Sequence, residues 1–492
     1  MNYNPSIYEI NTRVWINQFR QKNENVTIAD IPDSYWDQFG NEGIDYVWLM
    51  GVWKTCDNII EKYCYEENLI KSYDKALKGW TKQDIIGSPF AIDVYNVSPR
   101  VGDKKSLLNL KSCLNKKGIK LILDFVPNHF SAGSSLIKSN PAIFLSVNQD
   151  TFLKDTYTFF QPFKDEERYL AHGRDPFFPA WLDTVQVNLF SNEAREFLTD
   201  ILLQLTNVCD GVRCDMAMLA LNNVFKNTWG GVLSGEEIGS MHNDFWQTAI
   251  ERVKKVRPGF IFIAESYWDL EWTLQQQGFD YTYDKKLTDR LISSSAGNII
   301  DHLKAGLDYQ KKSLRFIENH DEERVAAVLG KDKSKAAAIV ISTILGMRFY
   351  HNGQFEGKKI KLPVQLGRAP DEFESSEIKN FYKTLLSITS QEIFKRGQWK
   401  LLEPLPSWDG NETFKNILAW QWVYNSQKRV VVVNYSTSLA ACRLKLDVKG
   451  YQEELFIIDL LNDQSYTRSA EEVFQLGLYI DLKPYQSHIF SF

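Results

Sequence analysis

The residues with the clearest chemical potential lie in the stretch D-G-V-R-C-D-M, from Asp210 to Met216. Arg213 and Asp215 stand two positions apart at the end of a short apolar run, so in a β-strand their side chains point to the same face. A guanidinium beside a carboxylate favours the ionised form and lowers the pKa of Asp215. An ionised carboxylate suits a nucleophile and does not suit a proton donor. Most R-x-D pairs are structural, so this pair needs support from the rest of the chain.

Two further acids follow apolar runs in the same way. Glu265 ends the run F-I-F-I-A-E, and Asp321 ends the run L-R-F-I-E-N-H-D. Three converging carboxylates without a Cys/His cluster fit acetal chemistry, which needs one ionised and one protonated group. Arg213 marks Asp215 as the ionised group. The apolar residues before Glu265 and the two aromatic residues after it would desolvate this carboxyl and raise its pKa, which suits the acid. Asp321 is left to hold sugar hydroxyls.

Eight apolar, β-branched or aromatic runs alternate with segments of helical periodicity and would bring these acids together. They span residues 6–11, 44–50, 119–126, 210–215, 260–265, 279–284, 314–321 and 346–350. Strands that alternate with helices predict a parallel sheet. Eight of them over about 350 residues predict an α/β protein with a closed (β/α)8 TIM barrel, in which functional groups lie at the C-terminal strand ends. A doubly wound open sheet is the alternative, but no G-x-G-x-x-G or P-loop motif follows any strand.

The spacing of these runs predicts three domains. The barrel takes residues 1–128 and 189–397. The aromatic, Pro-rich and Asp-rich stretch 129–188 is too long for a simple loop, so we expect an inserted subdomain over the barrel mouth. Short alternating runs with turn residues between them predict an antiparallel C-terminal β-sandwich over residues 398–492.

Four short signatures in this order resemble those of the α-amylase superfamily of retaining glycoside hydrolases. They are D-F-V-P-N-H (124–129), G-V-R-C-D (211–215), I-A-E-S (263–266) and F-I-E-N-H-D (316–321). The flanking pieces G-S-P-F-A-I (87–92) and Q-V-N-L (186–189) and the final β-domain fit as well, so the likeness covers nearly the whole chain.

The resemblance implies roles for individual residues. Asp215 would be the nucleophile, Glu265 the acid/base and Asp321 the stabiliser of the transition state. The residues expected around the substrate are Arg213, His129, His320, Asp124, Phe90 and Trp268. Among them Asp124 would support the strand ends, and Trp268 is included because it lies near the predicted barrel mouth.

The sequence departs from this family pattern at three places. Met218 and Leu219 stand where starch-degrading members commonly carry Lys-His, which would bind the leaving-group glucan and help to hold calcium. Asn128 is kept as a calcium ligand, but one oxygen is not a site, so no cofactor is expected to be required. Phe90 stands where many members have a stacking Tyr, so the stack is kept and the hydroxyl is lost.

Composition excludes several partners. The net charge is -5 and Lys and Arg are scattered, which argues against nucleic acid and against an anionic membrane surface. No apolar run approaches the roughly 20 residues of a spanning helix. The N-terminus shows no signal peptide, and the six cysteines lack metal or disulfide spacing, so we expect a cytoplasmic protein.

Three functions are compatible with these residues. The leading hypothesis is a retaining hydrolase of α-glucosidic bonds, α-1,4 above all, in maltooligosaccharides or in glycogen- and starch-type glucans. The second is an α-glucan transglycosylase with a sugar or phosphate acceptor. The third, from a different class, is a catalytically inactive barrel that binds glucan, although all three acids are retained here.

Overall fold

Eight parallel strands form a closed barrel in the computed structural model, which describes residues 4–22, 26–240, 243–447 and 453–492. We number them barrel strands 1 to 8 along the chain. They are Ser6–Asn11, Tyr46–Met50, Lys120–Phe125, Gly211–Cys214, Ile261–Ala264, Tyr281–Tyr283, Ser313–Arg315 and Met347–His351. Each strand pairs with its neighbour in sequence, and strand 1 closes the barrel against strand 8. The predicted fold class is confirmed.

Helices follow the strands and cover the outside of the barrel. The longer ones are Asp33–Asn41, Lys104–Lys116, Asn192–Val208, Asn222–Trp229, Phe245–Val256, Lys285–Ser293, Ala296–Leu303, Gly330–Thr343 and Ser376–Thr389. Some of their starts are fixed by capping side chains, as where Ser191 accepts a hydrogen bond from the N–H of Ala194. Short helical segments lie between them: Thr12–Trp15, Ile16–Lys22, Ile28–Asp30, Ala217–Ala220, Gly235–Ser240, Glu271–Gln276, Leu307–Lys311, Val325–Val328 and Glu392–Arg396.

The barrel interior changes from apolar to charged along the strands. Side chains two positions apart point to the same face, and the inward row includes Ile7, Trp48, Ile122 and Phe349 in one buried cluster. One step closer to the C-terminal ends, the inward positions hold the buried polar residues Glu9, Asp124, Arg213 and His351. The strands therefore present charged groups directly below the barrel mouth.

A long excursion after barrel strand 2 was not predicted. Trp53–Thr55 pairs with Ile92–Val97, and the helices between them are Asp57–Ile59, Ile60–Tyr63, Glu67–Ala76 and Lys82–Asp84. This excursion has a small core of its own that also takes in Leu366 from the loop after strand 8. The strands of this excursion are only three and six residues long, which is too short for a clear alternation of apolar and polar residues in the sequence.

A second excursion, after barrel strand 3, was predicted as an insertion. His129–Ser131 pairs with Thr184–Gln186 at its base. A small antiparallel sheet joins Ser146–Val147, Phe159–Phe160 and Tyr169–Ala171, with the helices Leu136–Ser139, Pro141–Ile143 and Gln149–Lys154 beside it. The subdomain boundaries at 129 and 188, like the other domain limits, stay a prediction.

The chain ends in antiparallel sheets. A six-stranded sheet takes the order Gln398–Leu401, Ile417–Tyr424, Gln427–Asn434, Ser487–Ser491, Glu454–Asp459, Gln464–Ser469. A three-stranded sheet is formed by Pro404–Leu405, Ala440–Leu444 and Leu478–Leu482; the helices Thr413–Asn416 and Ala470–Gln475 complete this region. The indole N–H of Trp422 donates to the carbonyl of Thr343 at 2.6 Å and ties the sheet to the barrel. Within the described ranges, no helix combines the length and apolar character that crossing a bilayer requires.

Candidate active site

The barrel mouth opens into one cleft with a volume of about 520 Å³, which we call the mouth cleft. The three predicted acids Asp215, Glu265 and Asp321 all line it, together with Phe90 and His129. The further polar or aromatic residues in its wall include Tyr63, Glu66, Asn68, Tyr157, Trp181, Asp183, Tyr267 and Gln365. Residues remote in the sequence therefore meet around one concave surface.

Arg213 joins two of the acids. Its Nη1 lies 2.5 Å from Asp215 Oδ1, and its Nη2 lies 2.9 Å from Glu265 Oε2. The guanidinium is 1% exposed and lies against the rings of Trp48 and Phe90, so it has little room to move. Its contact with both acids fixes Asp215 and Glu265 on the same side of the mouth cleft. The guanidinium therefore lies next to Asp215, in the place that the R-x-D spacing predicts.

The chain turns sharply after Asp215 and so ties barrel strand 4 to Glu265. Met216 has φ 42° and ψ 48°, in the left-handed region that a non-glycine residue seldom adopts. This turn aims the Met216 N–H at Glu265 Oε2, at 2.5 Å. The backbone strain is thus used to hold a carboxyl in place.

Glu265 is the acid best suited to carry a proton. Burial raises its pKa, the neighbouring Asp215 and Asp321 raise it further, and Arg213 acts against them; the resulting pKa is about 7. Its Oε1 accepts a hydrogen bond from the Tyr267 hydroxyl at 2.9 Å. A carboxyl with a pKa near neutrality can give and take a proton at the same pH.

Asp321 is held by its own sequence neighbours. Asn319 Oδ1 accepts a hydrogen bond from the Asp321 N–H at 2.9 Å, and Asp321 Oδ2 lies 3.0 Å from His320 Nε2. The low-dielectric surroundings would raise the pKa of Asp321, but His320 and Arg213 lower it below its ordinary value. Because 46% of its side chain is exposed, this ionised group faces the open part of the mouth cleft.

Phe90 and His129 contribute rings to the wall. The Phe90 ring lies 5.3 Å from the His320 ring, and the His129 ring lies 5.3 Å edge-on to Trp181. Burial lowers the pKa of His129 in spite of the nearby Asp215. His129 is therefore a neutral hydrogen-bonding ring at neutral pH.

Asp124 supports the strand ends, the role that the resemblance implies for it. This carboxyl is 0% exposed and lies outside the described cleft wall. Its oxygens accept hydrogen bonds from the indole N–H of Trp48 at 2.9 Å and from the N–H of Gly51 at 2.7 Å. Asp124 therefore joins barrel strands 2 and 3; a contact with substrate stays a prediction.

Trp268 is likewise absent from the described cleft wall. It adopts φ 64° and packs edge-on against Phe177, with ring centroids 4.9 Å apart. Phe177 itself is 66% exposed. The two rings form an aromatic rim close in sequence to Glu265, outside the cleft proper.

Tyr267, Tyr283 and Glu9 contact the candidate site and were not assigned a role from the sequence. The Tyr283 hydroxyl accepts a hydrogen bond from Arg213 Nε at 3.3 Å, and Glu9 lies 2.5 Å from His320. Tyr267 stands two residues after Glu265, and this spacing is the feature of the sequence that could have indicated its contact with Glu265. Glu9 stands inside an apolar run, and only its inward-facing position marks it.

Asn128 is the residue that the sequence retains for a calcium site, if one is present. Gln186 Nε2 donates hydrogen bonds to its carbonyl oxygen and to its Oδ1, both at 2.9 Å. Both oxygens of Asn128 thus already accept a hydrogen bond from one neighbouring side chain. In the described part of the chain, no three His, Cys, Asp or Glu residues are grouped to hold a metal.

Sequence comparison agrees with these signatures. The alpha-amylase catalytic-domain family matches residues 90–384. Alpha-amylase 3 of Dictyoglomus thermophilum is 22% identical over 308 residues, 59% of this chain and 58% of that protein. A cyclomaltodextrinase of Thermoanaerobacter pseudethanolicus is 24% identical over 396 residues, 75% of this chain and 61% of that protein. The matches therefore span about three fifths of the length of these curated relatives.

The fold has counterparts among solved structures. The crystal structure of a maltogenic alpha-amylase, AmyB from Thermotoga neapolitana, superposes with a TM-score of 0.68 and covers 100% of this chain and 99% of that one. An alpha-amylase from Lactobacillus plantarum gives a TM-score of 0.66 at the same coverage of 100% and 99%. Their sequence identities of 19% and 18% make this a likeness of fold.

Proposed function

The chain belongs to the α-amylase family, and from that premise we propose that it is a retaining glycosidase that hydrolyses α-glucosidic bonds. The substrates we propose are maltooligosaccharides or glycogen- and starch-type glucans, cleaved at α-1,4 linkages. The observation that carries this proposal is the contact of Asp215 and Glu265 with one guanidinium in one cleft. A single sugar bound there would have an ionised carboxylate and a protonated carboxyl within reach.

The two carboxyls take different parts in a double displacement. Asp215 attacks the anomeric carbon while Glu265 protonates the departing oxygen, and the covalent glycosyl-enzyme forms. Glu265, now ionised, then removes a proton from water, which attacks the same carbon and releases the product. Retention requires the two carboxyls to be about 5–5.5 Å apart. The surroundings of Glu265 suit this alternation, since its pKa lies near 7.

The remaining groups would hold and polarise the sugar. Asp321 faces the cleft as an anion and would stabilise the positive charge that develops on the ring. Phe90 offers an apolar face for stacking, and His129 offers a neutral hydrogen-bonding ring. Arg213 keeps Asp215 in the attacking form.

Transfer to a sugar acceptor is a second candidate function. The rim formed by Trp268 and Phe177 follows Glu265 and offers exposed aromatic surface for an acceptor sugar. A phosphate acceptor is disfavoured. The described cleft wall carries five carboxyl groups, Glu66, Asp183, Asp215, Glu265 and Asp321, and neither Lys nor Arg. Those that are ionised repel a dianion.

A cytoplasmic location and independence from calcium belong to the same proposal. All six cysteines are free thiols, which suits a reducing compartment. Gln186 donates hydrogen bonds to both oxygens of Asn128, which order this loop through the protein's own side chains.

Substitution of Asp215 by Ala tests the proposal. Turnover of maltopentaose should be lost, because no other carboxylate can attack from that side. Asp200→Ala is the matched control, since the side chain of Asp200 is 63% exposed on an outer helix. Near-full activity of the Asp215 variant would refute the assigned role.

The products of the wild-type enzyme test the rest. Proton NMR of fresh product should show the α-anomer first, and a β-anomer would exclude retention. Chromatography of maltopentaose products distinguishes hydrolysis from transfer, because only transfer gives longer chains. Glucan binding without turnover under any acceptor would favour the inactive binding barrel.

A further inference from the structure

Glu9 is an acid in the barrel interior that the mechanism above does not use. It belongs to barrel strand 1, is 0% exposed, and lies in register between Trp48 on strand 2 and His351 on strand 8. An ionised carboxylate at such a position is costly unless it has charged or hydrogen-bonding partners. Glu9 is two residues closer to the C-terminal end of strand 1 than Ile7, which points into the barrel interior. Its side chain therefore lies in the interior below the mouth cleft.

Both oxygens of Glu9 face histidines. Oε1 lies 2.5 Å from His320 Nδ1, and Oε2 lies 2.7 Å from His351 Nδ1. The other ring nitrogen of His320, Nε2, lies 3.0 Å from Asp321 Oδ2. His320 is thus placed between two carboxylates, one below it and one in the cleft wall.

This geometry determines the protonation state of His320. An ionised carboxylate only accepts hydrogen bonds, so Nδ1 of His320, which is hydrogen-bonded to Glu9 Oε1, carries a proton. Nε2 lies 3.0 Å from Asp321 Oδ2 in an ion-pair contact, and the two negative charges together favour the imidazolium form. The neighbouring rings of Trp48 and Phe90, 5.6 and 5.3 Å away, restrict its rotation.

We propose that Glu9 is a positioning residue that holds His320 as a cation, and that this cation keeps Asp321 ionised and directed into the mouth cleft. The role of Asp321 in this inference rests on the proposed glycosidase function. Glu9 touches neither substrate nor reacting atoms. It acts through His320, which precedes Asp321 in the sequence. Asp321 is the group that would face the positive charge of the transition state.

The electrostatics agree with this arrangement. Burial alone would lower the pKa of His320, but Asp321 and Glu9 raise it well above its ordinary value. Burial would raise the pKa of Glu9, and the two histidines lower it instead. Desolvation and Arg324 lower the pKa of His351, so the neutral form of this ring is favoured beside Glu9.

Several other charged or titratable groups face this chain of contacts. They are Arg213, Asp215 and Glu265 at the mouth, Asp124 and Tyr283 in the barrel interior, and Arg324 and Glu318 beside His351. A useful test changes Glu9 and leaves all of them in place. Glu9→Gln does so, since it keeps the size of the side chain and removes its charge.

The first measurement is independent of activity. Nitrogen-15 NMR of histidine-labelled protein should show His320 protonated between pH 6 and 8 in the wild type, with the signal assigned by its loss in His320→Gln. In Glu9→Gln this ring should titrate or become neutral within that range. In Glu9→Asp, which keeps the charge, it should remain protonated. Because this readout needs no substrate, it stays informative even if no glucan is turned over.

The second measurement is the pH dependence of kcat/KM on maltopentaose. Activity requires ionised Asp321, so it falls as the pH drops through the pKa of this group. Loss of the neighbouring cation should raise that pKa and move the acidic limb upward by about one to three pH units. Glu318→Gln is the control, because Glu318 is equally buried but pairs with Arg324 at 2.7 Å. It should leave the acidic limb in place.

A Glu9→Gln protein with an unchanged acidic limb and a protonated His320 would overturn the inference. So would a neutral His320 in the wild type. Circular dichroism and thermal unfolding establish that each variant is folded before either comparison. If Glu9→Gln fails to fold, Glu9→Asp and His351→Gln carry the test, since the inference requires a protonated His320 in both.

Discussion

Replacement of Glu265 by Gln should inactivate the enzyme and make it more stable at alkaline pH. Burial and the two neighbouring acids raise the pKa of Glu265 from 4.5 to about 7. A carboxyl with a raised pKa binds its proton more tightly in the folded state, so its stabilising effect is present at low pH. That effect is lost as the pH rises through about 4.5 to 7. Gln stays neutral at every pH and avoids the loss.

The magnitude follows from the pKa shift. One pKa unit corresponds to about 1.4 kcal/mol, so the gain from Glu265→Gln should be on the order of 3 kcal/mol at pH 8 and close to zero at pH 4. For a chain of this length, that gain corresponds to a rise in Tm of about 3 °C. The amide can replace the present contacts, because its oxygen can accept from the Met216 N–H while its NH2 group donates to the Tyr267 hydroxyl.

Thermal unfolding at four pH values between 4 and 8 checks this prediction. Glu318→Gln provides the contrast: its carboxylate pairs with Arg324 and accepts from the Val325 N–H at 2.7 Å, so that variant should lose stability at every pH. Activity on maltopentaose should fall by about 10²- to 10⁴-fold in Glu265→Gln. Activity on α-glucosyl fluoride, whose leaving group needs no proton, should fall much less. A gain in Tm that is equal at pH 5 and pH 8, or a loss at pH 8, would refute the reasoning.

Two further predictions use contacts around the site. Tyr267→Phe removes a hydrogen bond to the carboxylate form of Glu265, so its pKa should rise and the alkaline limb of kcat/KM should move upward by about one pH unit; a downward shift would contradict this. Exhaustive chelation with EDTA should leave Tm within about 1 °C of its starting value, because Gln186 already donates to the oxygens expected for calcium. A fall of several degrees, reversed by added calcium, would contradict it.

The bounds of a strand were predictable where the backbone stays extended for as long as the apolar pattern continues. Barrel strand 1 has the predicted bounds, Ser6–Asn11. Strand 7 was predicted over residues 314–321 and spans only Ser313–Arg315. The apolar pattern continues past Arg315, but Asn319 Oδ1 accepts from the N–H groups of Asp321 and Glu322 and so holds the chain in a turn. A side chain that competes for backbone donors ends a strand before its apolar pattern ends.

The candidate site was predictable to the extent that it depends on strand ends. Asp215, Glu265 and Asp321 gather because barrel closure brings all the C-terminal strand ends to one face. Glu9 was missed because it stands inside an apolar run, and its partners come from strand 8 and from the loop after strand 7. Asp124 looked like the other strand-end acids, but its oxygens are engaged by Trp48 and Gly51. Sequence shows where an acid stands, but not which donors will face it.

The surroundings of the three acids differ, and the difference supports the proposal that Glu265 is the one that carries the proton. Asp215 takes Arg213 Nη1 at 2.5 Å, and Asp321 takes His320 Nε2 at 3.0 Å. Glu265 contacts the second nitrogen of the same guanidinium, Arg213 Nη2, so Glu265 and Asp215 share one cation. Burial is the largest cause that raises the pKa of Glu265, and Asp215 and Asp321 add to it against the effect of Arg213. The pKa of about 7 at Glu265 and the lowered pKa at Asp321 are therefore one consequence of the same arrangement. Any change that removes the charge of His320 should leave Asp321 and Glu265 to compete for that proton.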